Sequence, residues 1–289
     1  MNGVIIVDKP KNFTSRDIVN IIGKKYKTKK VGHTGTLDPL ATGVLIVCVN
    51  KATKIAELIT AVDKEYIAEI ELGTLTDTLD ITGKVLKDEN TSISKEKIEK
   101  ILNKIIGIQN QIIPLYSAVK INGKKLYEYA RNGEEIELPT HEINIKSLEL
   151  LDIKQTNKTT IKIKTNVSKG TYIRSMARDI GEKLGTYGTM TSLRRTKQGN
   201  FSIDDALLID DVTSDTKLIP IEECLDKYFK VIANNSLIAD ILDGKIIDNT
   251  YGNDEIFFVD KNNEAIALYK KYDREENKIK PWKMFKIKK

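Results

Sequence analysis

The sequence predicts an α+β fold: a mixed, largely antiparallel central sheet flanked by helices, followed by a small β-rich C-terminal domain. Three observations predict it. Runs that alternate with period two are interleaved with helical stripes, without a regular βαβ rhythm. Hydrophobic residues make up 40% and charged residues 30% of the 289, enough apolar content for a packed core. After about Lys230 the texture changes to short apolar runs around turns of Asn and Asp, a stretch near the lower size limit for a stable domain. The expected division is 1–229 and 230–289.

The elements follow in order. Val4–Val7 is an apolar run closed by Asp8-Lys9-Pro10, a strand ending in a turn. Thr14 and Asp17 have the spacing of a capping box, and Ile18, Ile21 and Ile22 follow at helical spacing. Val44–Val49 is a buried strand that takes in Cys48. In Tyr66–Leu72, residues 66, 68, 70 and 72 share the apolar face. Ser94 caps a helix carrying Ile98, Ile101, Leu102 and Ile105, stopped by Gly107. Ser117–Ile121 is expected as a strand before the Asn122-Gly123 turn. Ile143–Ile153 and Thr159–Val167 form a further pair. Ile173, Met176, Ala177, Ile180 and Leu184 make a helical stripe ended by Gly185. Ile256–Val259 and Ala265–Tyr269 are short strands of the last domain.

Charge and cysteine usage narrow the class. The net charge is +6, which attracts polyanions only weakly. Basic residues with interleaved aromatics recur at Lys24–Lys30 with Tyr26, at Lys124–Arg131 with Tyr127 and Tyr129, and in the C-terminal tail with Trp282 and Phe285. Lysines suit phosphates and rings suit bases, so three such patches make nucleic acid the leading partner. Cys48 and Cys224 lie far apart, with no disulfide framework and no zinc spacing. There is no signal peptide and no apolar run of the roughly 20 residues that span a bilayer, so a reduced, cytoplasmic protein is expected.

The stretch Gly32–Gly43, GHTGTLDPLATG, concentrates the candidate chemistry. Its glycines permit tight turns or close approach to a ligand, and it matches neither nucleotide-loop pattern. Asp38 is its only acid. Local pattern alone favours a turn-capping role for it. His33, five residues earlier, makes no triad with it but could stack on a base or contact a phosphate. His141 falls in a polar connection, and Asp77 and Asp80 suit an Asx-rich turn. Arg174, on the apolar approach to a helix, needs a carboxylate partner. Tyr172 beside it is by type more often core than functional.

Taken together, these residues resemble the bacterial tRNA pseudouridine-55 synthases, the TruB family. Gly32–Gly43 is similar to its signature. Asp8-Lys9-Pro10, Asp63–Tyr66, Gly73–Asp80, Tyr116–Lys120 with Gly123–Arg131, Ser168–Ser175 and Leu193-Arg194-Arg195 resemble further blocks in order, from about Gly3 to Ile209. The resemblance implies a pseudouridine synthase fold with a C-terminal RNA-binding domain of PUA type. It also implies an isomerase that flips uridine 55 out of the tRNA T-loop, detaches the base, turns it and rejoins it through C5, with no cofactor and no metal.

On that resemblance Asp38 is the catalytic acid, either a nucleophile or a proton acceptor, and Arg174 is its ion partner. Tyr66 stacks on the uracil and serves near C5. Tyr172 and Leu193 line the pocket. His33 fills the space left by the flipped base, and Lys9 supports the pocket or meets a phosphate. A monomer without an obligate protein partner is expected. An RNA-guided relative carries extra terminal segments, whereas this chain starts at the catalytic strand. A non-catalytic RNA-binding module would not require Asp38.

Overall fold

The computed structural model describes residues 1–286. Ile287-Lys288-Lys289, the end of the basic tail, lie outside the described residues. The chain opens with β1 (Gly3–Lys9) and α1 (Ser15–Lys25). Thr14 caps α1 as expected: its hydroxyl accepts from Asp17 N, and the Asp17 carboxylate accepts from Thr14 N. Ile18, Val19 and Ile22 then bury against β1 and β2 (Thr42–Val49), which pair antiparallel. β3 (Lys64–Leu72) alternates buried and half-buried along its length.

α2 (Lys95–Lys104) starts at Ser94, whose side chain accepts from Lys97 N. It ends before Gly107, which instead opens the edge strand β4 (Gly107–Ile112). α3 (Leu126–Asn132) follows a short hairpin of Lys120–Ile121 with Lys124–Lys125. The strand expected from Ser117 begins only at Lys120. The carbonyls of Ser117 and Val119 accept from Tyr127 N and Leu126 N, and that of Tyr116 accepts from Arg174, so these groups join no ladder. β5 (Thr140–Gln155) and β6 (Thr159–Val167) form a long antiparallel pair. α4 (Ile173–Leu184) stops at Gly185, whose φ of 80° is left-handed, and β7 (Gly188–Gln198) returns to the sheet centre.

The central sheet runs Leu207–Leu208, β1, β2, β7, β3, β6, β5, β4. Two pairings are parallel, Leu207–Leu208 with β1 and β7 with β2; the other ladders are antiparallel. The mixed, largely antiparallel sheet expected from the sequence is therefore present. One face of β3, β5, β6 and β7 packs under α2 and α4, with Ile70, Ile98, Ile163, Met176 and Ile180 at its centre.

The C-terminal segment forms a separate sheet of five strands: β8 (Phe229–Ile232), β9 (Ile247–Asp248), β10 (Glu255–Val259), β11 (Ala265–Lys271) and β12 (Lys278–Met284). It does not stand apart. Phe257, Leu268 and Phe285 share one cluster with Ile55, Leu58, Ile59 and Ile6 of the first sheet's layer. Phe285 is buried, so it cannot stack on a base as the sequence suggested. No helix among the described residues is long and apolar enough to cross a membrane.

Candidate active site

Three features of the sequence fix the loop between Val31–His33 and β2. Ser15, in the first turn of α1, accepts from Leu37 N at 2.8 Å and donates to Leu37 O at 3.2 Å. Gln198, at the end of β7, donates to Thr34 O and to Ile59 O at 2.6 and 3.1 Å. Arg195 is 1% exposed, and its guanidinium donates to Val44 O at 2.7 Å and Gly35 O at 3.1 Å. Gly43 makes this possible: at φ 101°, a Cβ there would lie 2.2 Å from Arg195 O. The loop is thus pinned to β7 on one side and to α1 on the other, and Asp38 sits at its turn, with Asp38 O accepting from Ala41 N.

Asp38 meets Arg174, which stands at the start of α4. Arg174 Nε lies 3.0 Å from Asp38 Oδ2, and a terminal nitrogen donates to Oδ1 at 3.4 Å, a side-on pair. The other guanidinium bonds go to Thr78 O and Tyr116 O, both at 3.1 Å. Arg174 is 8% exposed on its side chain and Asp38 36%, so the arginine is locked behind while the carboxylate keeps an open edge. A second acid, Asp80, approaches the same guanidinium at 3.9 Å. Its Oδ1 accepts from Thr78 and from the backbone and hydroxyl of Thr82, which fixes its position. Asp80 was read from sequence as part of a turn; it is that, and it also backs the arginine.

The open edge of Asp38 faces a cavity of about 760 Å³. Tyr66, Tyr172, Leu193, Tyr116, Lys64 and His141 are among its lining residues. β-Sheet register explains part of this convergence: Tyr66 on β3 pairs with Arg195, and Ala68 with Leu193, on β7. Tyr172 is held by reciprocal bonds with Gln111, its N–H donating to the amide oxygen and its carbonyl accepting from the amide nitrogen. Burial pushes its phenol pKa up, so the hydroxyl stays protonated at neutral pH.

Four of the expected site residues thus come together with Asp38: Tyr66, Tyr172, Arg174 and Leu193. Two stand elsewhere. Lys9 is fully buried, and its ammonium donates to Pro10 O, Phe13 O and Pro39 O at 2.9, 2.7 and 3.5 Å. It buttresses the loop and is closed to a phosphate. Burial, more than any neighbouring charge, pushes its pKa down to about 8. His33 ends its short strand outside the cavity lining. Burial first, then the Arg16 and Arg195 guanidiniums, lower its pKa and leave the ring neutral at pH 7.

Other expectations change. His141 lies on β5, not in a connection, and sets its ring edge against Tyr172 at 6.2 Å. Tyr26 donates its hydroxyl to Thr216 O at 2.7 Å and is unavailable for stacking. Tyr129 is likewise buried, with its hydroxyl on Ile121 O, whereas Tyr127 stays at the cavity beneath Lys125 and Arg131. No role for Arg195, Gln198, Lys64 or Gln111 is read from the sequence. Lys64 and Arg195 fall within the blocks Asp63–Tyr66 and Leu193–Arg195 that resemble the family, whereas Gln198 and Gln111 are polar strand residues that leave no signal in the sequence.

The profile of the TruB family pseudouridylate synthase N-terminal domain matches residues 23–173, and that of the tRNA pseudouridylate synthase B C-terminal domain matches residues 174–230. The chain belongs to the TruB family of pseudouridylate synthases. Family membership makes it an isomerase, and the loop, the arginine and the cavity described above lie within the two matched segments. The tRNA pseudouridine synthase B of Clostridium tetani is 44% identical over 283 residues, covering 94% of this chain and 96% of the relative. That of Bacillus subtilis is 41% identical and covers 98% and 97%. That of Fusobacterium nucleatum is 52% identical over 204 residues, covering 71% and 70%. Among solved structures, a chain of a Cbf5-Nop10-Gar1 complex superposes with a TM-score of 0.74 at 25% identity, covering 99% of this chain and 85% of the other.

Proposed function

We propose that this TruB-family isomerase converts uridine 55 in the T-loop of tRNA to pseudouridine after flipping the nucleotide into the cavity. The observation that carries the reading is Asp38 held side-on by Arg174 with one edge open to that cavity. The tRNA specificity named for its relatives supports the substrate. In the reaction the C1′–N1 bond breaks, C1′–C5 forms, C5 loses its proton and N1 gains one. The product is an isomer of the substrate, and no cofactor is needed.

Asp38 is the group that engages the nucleoside, held in place by the Arg174 guanidinium at 3.0 Å. Tyr66 offers its ring to the uracil, and Tyr172 and Leu193 close the pocket around it. Lys9 acts behind the loop. His33, neutral and beside the loop, takes the place vacated in the RNA by the flipped base. The separate sheet that starts at Phe229 supports a division into a catalytic domain, 1–229, and a PUA-like RNA-binding domain, 230–289. We place the enzyme in the cytoplasm as a monomer that needs no obligate protein partner.

Asp38→Asn tests the reading. The change keeps shape and removes the charge, and a loss of about 10³-fold or more in pseudouridine formation is expected, with tRNA binding retained. Tritium release from C5-labelled uridine in a T-loop transcript measures it. Turnover near the wild-type rate excludes the assignment.

A further inference from the structure

The lysine run after α1 divides into two sets. Lys25 donates to Val212 O at 2.6 Å and Tyr26 to Thr216 O at 2.7 Å, so these two tie α1 to the chain around residues 212–216. Lys24, Lys27 and Lys29 do nothing of the kind. Together with Arg16 they line an open hollow of about 580 Å³ beside α1, and no carboxylate lines it. None of these four cations has an ion pair or a side-chain hydrogen bond among the described residues.

Helical spacing puts Arg16, Asn20, Gly23 and Lys24 on one side of α1, and Lys27 and Lys29 extend that side past its end. Lys27 has a φ of 51°, a left-handed backbone that glycine or asparagine adopts at less strain. The hollow is linked to the site by a short stretch of chain. Val31 lines it and begins the short strand that ends at His33, two residues before the Gly35 that lines the cavity. From Arg16 to Lys24 the helix rises about 12 Å, at about 1.5 Å per residue. Each nucleotide of a strand laid along it brings one phosphate charge to these cations.

We infer that this hollow seats the sugar–phosphate backbone of the RNA next to the flipped nucleotide, with Arg16, Lys24, Lys27 and Lys29 as its phosphate contacts. The inference rests on the RNA-isomerase reading above and adds to it a named surface, separate from the cavity. Unneutralised cations without any carboxylate between them match a polyanion better than they match a protein surface of mixed charge.

The test is K24A/K27A/K29A in the full chain, with wild type and the charge-keeping K24R/K27R/K29R beside it. Binding of a stem–loop RNA that carries the target uridine is measured across a salt series, together with single-turnover pseudouridine formation at saturating enzyme. The alanine variant is expected to bind about tenfold or more weakly near physiological salt, and its slope of log K against log salt to shrink by about 2. Its saturated single-turnover rate should match wild type, and the arginine variant should keep both affinity and slope. Unchanged affinity and slope in the alanine variant overturn the inference, and so does a loss that the arginine variant shares, which marks a structural role. If wild type forms no pseudouridine in this RNA or in tRNA, the functional reading fails, and that result is distinct from a failed hollow.

Discussion

The cavity and the C-terminal sheet use charge in opposite ways. Around the cavity, Arg174, Arg195, Lys9 and Lys64 are buried, and each is tied to backbone carbonyls or a fixed carboxylate. On the C-terminal sheet the lysines pair with surface acids, as in Lys283 with Glu57 and Lys280 with Asp273, while Phe257, Phe258, Tyr269 and Phe285 carry the core. A buried cation holds geometry because losing its partner leaves an unpaired charge or carbonyl in a dry place. An exposed pair is screened by water and contributes little. Four substitutions separate these regimes.

Arg174→Ala should have the largest effect. It leaves Asp80 buried without its cation and frees Asp38 on its loop. Pseudouridine formation should fall by about 10²-fold or more, and stability by about 3 kcal/mol, the lower end for a broken buried pair because Asp38 is partly open. Rate and denaturant midpoint measured on the same preparation check both. Retention of the wild-type rate would separate the arginine from the chemistry.

Phe285→Ala comes next and should act on stability alone. The ring packs edge-to-face on Phe257 at 6.2 Å within the cluster that joins the two sheets. A cost of about 3–5 kcal/mol is expected with kcat unchanged below the new melting temperature. The same cluster means that truncation after residue 229 exposes Leu58 and Ile59, so a shortened chain should lose solubility as well as RNA affinity. A soluble, fully active truncation would show the shared core to be dispensable.

Lys9→Met is a smaller and pH-dependent change. The folded chain holds Lys9 near a pKa of about 8 against an ordinary 10.5, and Lys64 is likewise pushed down to about 8. Between those values the unfolded chain binds more protons at these two lysines, so their contribution to stability rises with pH across that window, opposed above about pH 9 by the buried Cys48 and Cys224 thiols, whose pKa burial pushes up to about 12. Removing Lys9 should roughly halve that rise, leaving the Lys64 share, which thermal melts at a series of alkaline pH values would reveal. An unaltered slope would mean that the Lys9 ammonium is not desolvated.

Lys283→Ala, at the pair with the exposed Glu57, should do least: under about 1 kcal/mol, and less at high salt. A larger loss would show that this seam acts as a unit.

The sequence was most legible where one residue type has one local use. The Thr14–Asp17 capping box, the Gly185 stop, the alternation from Tyr66 to Leu72 and the pair of strands read at Ile143–Ile153 and Thr159–Val167 are all found, the first strand of that pair running on to Thr140 and Gln155. It was least legible where a polar residue's role depends on what folds over it. No strand is read from the sequence over residues 188–198, yet Arg195 and Gln198 stand on one there, are buried and pin the loop of Asp38. Tyr26 and Phe285 looked available for stacking, and tertiary packing consumed both.

By itself, then, the sequence determined three of the helices, those after Thr14 and Ser94 and before Gly185, several strand periodicities and the family signature in Gly32–Gly43, because these rest on neighbours within a few residues. Only the tertiary structure decided which charges meet and which are buried. It brings Asp38 and Arg174, 136 residues apart in the chain, to within 3.0 Å, sets Asp80 behind them and buries Lys9. The physical reason is that a charge takes its meaning from the solvent and partners around it, and those are set by the fold.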